Sequence, residues 1–213
     1  MKKEQGINSI QKNSSTGISA EKFEALLSVS NKLNIFIENE IKSIPFGMAA
    51  LFAVDSCNYS PLQDELLKKI SGSDSIYLTV NKPAAFLKKK MQEMNASSEK
   101  VFFIDMITGL TSESGKKEKG VSFIGAPSEL VESMLEVDNA FAVSNKKFIV
   151  LDSISTLLVY NDKKAVEKFI HSLISKINNF NSIGLLIAVN SENYSDKIKS
   201  LEQFCDKIIT VKI

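Results

Sequence analysis

The sequence contains no arginine and no tryptophan; all 26 of its basic residues are lysine. The missing guanidinium excludes an arginine finger supplied by this chain and any bidentate clamp on phosphate or guanine. There are only two cysteines, Cys57 and Cys205, far apart, and a single histidine, His171. That is too few for a disulfide framework or a tetrahedral metal site, so free thiols in a reducing compartment are expected. His171 falls just off the apolar stripe of its predicted helix, with no Cys or Asp at ligand spacing, and reads as a boundary residue. Long apolar runs are absent: the longest, Met48 to Val54, cannot span a bilayer, and no N-terminal apolar signal segment is seen. A soluble, cytoplasmic protein is expected, with no membrane partner. The net charge of +1 provides no basic field, so nucleic acid is not supported as a partner.

What is present is an ordinary globular mixture over 213 residues, 44% hydrophobic and 24% charged. Residues 1–20 are rich in Ser, Asn, Gln and Lys and read as a disordered tail. A helix is predicted over 21–42, with Phe23, Leu26, Leu33 and Ile37 near one face. It forms an extension over 21–44 and ends at Ile44-Pro45-Phe46-Gly47. From 45 to 213, strand-like and helix-like segments alternate, which predicts a three-layer α/β/α domain with a mainly parallel sheet. The predicted strands are near-continuous apolar runs, as burial on both faces requires: Met48–Val54, Ile76–Val80, Val101–Asp105, Ser122–Ile124, Phe148–Asp152, Gly184–Val189 and Ile208–Val211. Val166, Phe169, Ile170, Leu173, Ile174 and Ile177 mark the clearest helix. Leu130, Met134, Val137 and Phe141 mark another.

Phe148-Ile-Val-Leu-Asp152-Ser153-Ile-Ser-Thr-Leu157-Leu158 is an apolar strand ending in Asp-Ser. It resembles the Walker B strand of the RecA superfamily, specifically of the archaeal KaiC-like and Rad55-like ATPases. The order of segments around it is similar too, ending in Phe204-Cys-Asp206 followed by an apolar closing strand. The resemblance covers roughly residues 44–213. It implies a RecA-like P-loop NTPase fold, in which Asp152 would face Mg²⁺ at the carboxyl end of a parallel strand. It also predicts that strands 48–54 and 148–152 are neighbours or near-neighbours.

Such a family carries G-x-x-x-x-G-K-[ST] after its first strand. Here the aligned residues are Asp55-Ser56-Cys57-Asn58-Tyr59-Ser60-Pro61-Leu62. Asp55 and Ser60 replace the two glycines whose backbone freedom aims N–H groups at phosphate. Pro61 replaces the lysine and has no N–H, and Leu62 replaces the metal-binding hydroxyl. Ser60-Pro61-Leu62-Gln63 reads as a helix start, with Ser60 as N-cap, which leaves 55–60 as a remodelled loop. Asn81-Lys82 stands where the family's catalytic Glu would be; neither is a general base near neutral pH. Gly109…Gly115-Lys116 imitates a phosphate loop but has five residues between its glycines and lacks the following Ser or Thr. Lys88-Lys89-Lys90 and the cluster at Lys116, Lys117 and Lys119 read as solvated surface.

The resemblance and these departures lead to a non-catalytic, pseudo-ATPase regulatory or assembly subunit. No cofactor, catalytic residue or metal site is expected, except Asp152 if any residue holds one. The partner would be a second copy or an intact KaiC-like ATPase. One alternative is an ATP/Mg²⁺-dependent ATPase of signalling or recombination, completed by a partner subunit. Another is a small-ligand receptor using loop 55–60. Without a metal, Asp152 at the end of a buried strand costs desolvation, so Asp152→Asn is expected to be neutral or slightly stabilising unless backbone N–H groups bond the carboxylate.

Overall fold

The computed structural model describes residues 20–111, 118–190 and 195–211; the predicted tail up to residue 19 and most of the 109–116 glycine segment lie outside them. The elements run α1 (Ala20–Lys42), β1 (Ala49–Val54), α2 (Ser56–Ile70), β2 (Ser75–Thr79), α3 (Ala84–Glu93), β3 (Val101–Asp105), β4 (Val121–Phe123), α4 (Leu130–Val143), β5 (Phe148–Asp152), α5 (Ile154–Tyr160), α6 (Lys163–Asn179), β6 (Ile183–Val189), α7 (Ser195–Glu202) and β7 (Lys207–Val211). The strands form one sheet in the order β4-β3-β2-β5-β6-β1-β7, and every strand pairing is parallel.

Apolar residues on both faces of the strands explain this architecture. In β1, Ala50, Phe52 and Val54 face the layer of α1, α2 and α3, while Ala49 and Leu51 face that of α4, α5, α6 and α7. Both sets are buried, so each strand contributes to two cores. At about 1.5–3 kcal/mol per fully buried large side chain, this burial dominates stability. Gly184 of β6 allows a close approach: a Cβ there would lie 2.5 Å from Ile177 Cδ1 and 2.9 Å from Ala49 Cβ.

All seven predicted strands are present, with ends matching or shifted by one residue. Strands β1 and β5 are near-neighbours separated by β6, with their carboxyl ends on the same side. Helix α1 uses Leu33, Ile37 and Ile41 inside its own domain, against α2. Its end is fastened to the sheet edge by Lys207 of β7, whose Nζ lies 2.5 Å from Glu40 Oε2 and 2.7 Å from Ser43 Oγ. No helix among the described residues is long and apolar enough to cross a membrane.

The structure corrects one expectation. Residues 56–60 are not a loop, and Ser60 is not an N-cap. Helix α2 starts at Ser56, directly after Asp55, whose extended backbone (φ −75°, ψ 154°) makes it the N-cap residue, without a side-chain capping bond. Pro61 lies within the second turn, where it gives up one intrahelical bond but keeps a helix-compatible φ. Extending the helix backwards puts Tyr59 one turn before Gln63, on the face that meets the end of β5, and both side chains find a partner there.

Candidate functional site

Polar side chains converge where β1, β2 and β5 end beneath the first turns of α2. Asp152 closes β5 and follows Phe148 and Val150 on the sheet face toward α2. Tyr77 of β2 is two residues before Thr79, the register partner of Asp152, and so projects on the same face. Tyr59 and Gln63 descend from α2, and Asn81 follows β2. Ser153 begins α5 as its N-cap, accepting from Thr156 N.

Asp152 is fully buried, as are Gln63 and Tyr77. Four side-chain donors meet its carboxylate. Tyr59 donates its hydroxyl to Oδ1 at 2.6 Å, and Asn81 Nδ2 reaches the same oxygen at 3.2 Å. Tyr77 donates its hydroxyl to Oδ2 at 2.6 Å and Gln63 Nε2 does so at 2.5 Å. A carboxylate offers about four lone-pair sites, so its accepting capacity is filled. A second tier secures the donors. Asn81 Nδ2 lies 2.8 Å from the Tyr59 hydroxyl and 3.3 Å from Ser153 Oγ, while Thr156 donates its hydroxyl to Asn81 Oδ1.

Burial, and then the adjacent Asp152 charge, push both phenols above their ordinary pKa, Tyr77 well above it. Both therefore remain protonated donors, since ionising either would place a second anion against Asp152. The cluster can hold one buried carboxylate without a cation.

The other candidate residues lie around this cluster. Leu62 is completely buried, facing the core with Leu66. Asp55, Ser56, Cys57 and Ser60 are exposed at the helix start, and Asn58 is half-buried. The Lys82 ammonium sits 5.0 Å from the Phe86 ring centre, outside the cluster. Ser153 and Asn81 thus join Asp152, whereas Lys82 does not. Tyr77, Gln63 and Thr156 went unassigned in the sequence, although a tyrosine inside a doubly buried strand signals a hydroxyl that needs a partner. Among the described residues, no group of three His, Cys, Asp or Glu side chains is placed to hold a metal ion. Asp105, the other fully buried aspartate, ends β3 and accepts from backbone N–H groups of Ala84, Ile107 and Thr108.

Comparison with known proteins places the chain. A family described as "Family of unknown function (DUF7504)" matches residues 63–211, well over half of the sequence. The chain belongs to that family. No curated protein matches it. Among solved structures, a KaiC-like protein of the archaeon Pyrococcus horikoshii superposes with a TM-score of 0.58 at 12% identity, covering 78% of this chain and 72% of that one. The flagellar accessory protein FlaH of Methanocaldococcus jannaschii superposes with a TM-score of 0.52 at 16% identity, with the same coverages. At such identities the likeness is one of fold, and this DUF7504 member has the RecA-like α/β fold of those neighbours.

Proposed function

We propose that this DUF7504 protein is a non-catalytic relative of the KaiC-like ATPases, a regulatory or assembly subunit that acts through protein contacts. The observation that carries the reading is the saturation of Asp152 by Tyr59, Gln63, Tyr77 and Asn81. A metal-holding aspartate keeps lone pairs for the ion or its waters. Here the chain's own hydroxyls and amides take them. The start of α2 supports the same reading. A phosphate loop turns glycine-rich backbone N–H groups toward the anion, whereas residues 56–60 are already helical and Leu62 points into the core. These residues do not fit Mg·ATP. The ATP-dependent alternative would require a partner to displace Tyr59 and Gln63 from Asp152. The receptor alternative loses the loop on which it depended.

The test is thermal unfolding with and without millimolar Mg·ATP. A ligand at a hundredfold excess over its Kd stabilises by about 2.7 kcal/mol. No change in melting temperature is expected; a clear rise that requires both Mg²⁺ and ATP would sink the non-catalytic reading.

A further inference from the structure

Helix α4 has one apolar side more than its own core uses. Val137, Ala140 and Phe141 face the sheet. One step round the helix, Leu130 and Met134 form one wall of a groove toward α6, completed by Ala165, Phe169 and Lys168, with a volume of about 350 Å³. A further step round, Val131 and Leu135, spaced i and i+4, form an apolar ridge that is 77% and 57% exposed. Val159 and Tyr160, at the end of α5, are exposed as well. An Asn161 side-chain bond of 3.1 Å to the Pro127 carbonyl ties this end of α5 to the segment before α4. An exposed apolar ridge beside an apolar groove marks an interaction surface.

The charges beside it indicate what covers it. On the α6 side of the groove stand Lys164 and Lys168, both exposed, with no ion pair among the described residues. On the far side of the ridge stand Glu132 and Glu136. Across the face the order is therefore lysines, groove, ridge, glutamates. A two-fold rotation reverses that order, so a second copy would lay its ridge in this groove, its glutamates over these lysines and its lysines over these glutamates.

We infer that a second copy of this chain docks here, through a two-fold pairing of the α4–α6 face with itself. The inference rests on the assembly reading above and identifies the partner. Glu132 supports it: a hydrogen bond with Glu129, then burial, then the charges of Glu129 and Glu136 raise its carboxyl above the ordinary range. Facing lysines would relieve that crowding of acids.

The test is light scattering during size-exclusion chromatography at about 100 μM, which populates any dimer of micromolar Kd. The unaltered chain is expected at the mass of two copies. Val131→Glu with Leu135→Glu, both at exposed positions, should give the mass of one copy with an unchanged far-UV circular dichroism spectrum. Glu132→Lys with Glu136→Lys should weaken the dimer about tenfold through lost and repelling rim pairs. Adding Lys164→Glu and Lys168→Glu to that variant should restore it. A one-copy mass for the unaltered chain, or a two-copy mass that survives the Val131 and Leu135 changes, would overturn the inference. Its failure is separable from that of the non-catalytic reading. A monomer insensitive to Mg·ATP defeats only the pairing, and a dimer stabilised by Mg·ATP defeats only the non-catalytic reading.

Discussion

Asp105 and Asp152 occupy equivalent places and are satisfied in opposite ways. Each is the last residue of a parallel strand beside β2, each is fully buried, and both pair in register with Thr79. Asp105 is held mainly by backbone: Ala84 N at 2.6 Å, Ile107 N at 3.0 Å and Thr108 N at 2.9 Å, with the Thr108 hydroxyl at 2.8 Å. It fastens the start of α3 and the turn after β3, where a carboxylate also suits the helix N-terminus. Asp152 is held by four side chains from three parts of the chain. Backbone donors are present at every residue except proline, whereas side-chain donors depend on sequence. Asp105 is therefore a fixture of the fold, and the Asp152 cluster is a particular filling of this protein's candidate site.

Substitution at each carboxylate can break that contrast. Asp105→Ala should show the largest effect, a loss of about 3–5 kcal/mol in urea unfolding, because several backbone N–H groups are left without an acceptor. Asp152→Asn should cost about 2 kcal/mol, since its amide turns a donor toward donors already fixed there. This reverses the neutral outcome expected from sequence, which allowed for backbone N–H donors but not for the four side-chain donors found here. An Asn variant as stable as the parent would show that the four donors do not need the charge.

Smaller effects sharpen the comparison. Tyr77→Phe should cost about 1–2 kcal/mol and Tyr59→Phe less, because Tyr77 is fully buried and Tyr59 is not. Equal losses would mean that depth does not set the strength of the two bonds. Alkaline unfolding gives a further readout. The phenols are raised above 10.0 in the fold and return to it on unfolding. Their contribution is therefore complete below pH 10 and falls as pH rises beyond it. Tyr77→Phe should flatten that decline, while Asp105→Ala should leave it in place.

The strands were legible because burial on both faces leaves an unbroken apolar run, and α6 because its stripe is regular. The start of α2 was misread because Ser60-Pro61 satisfies the local rules for a helix start, while the cause of the earlier start lies nearly a hundred residues away, in Asp152. Asp152 itself was legible as a strand-ending acid. Its donors were not, apart from the i, i+4 spacing of Tyr59 and Gln63 and the hydroxyl of Tyr77 among apolar neighbours. The backbone clasp of Asp105 leaves almost no trace in sequence, since main-chain N–H groups have no residue identity.

The position of β1 in the sheet has a consequence for biosynthesis. Among the described residues its strand partners are β6 and β7, with Ala49 opposite Gly184 and Ala50 opposite Lys207. At translation rates of about 5–20 residues per second, about 7–27 seconds separate completion of β1 from that of β6. Throughout that interval a wholly apolar strand has no neighbour to complete its hydrogen bonds. Helices α1 and α2 are made alongside it and are the first elements able to shield one of its faces. The nascent chain thus depends on its earliest helices before its sheet can close.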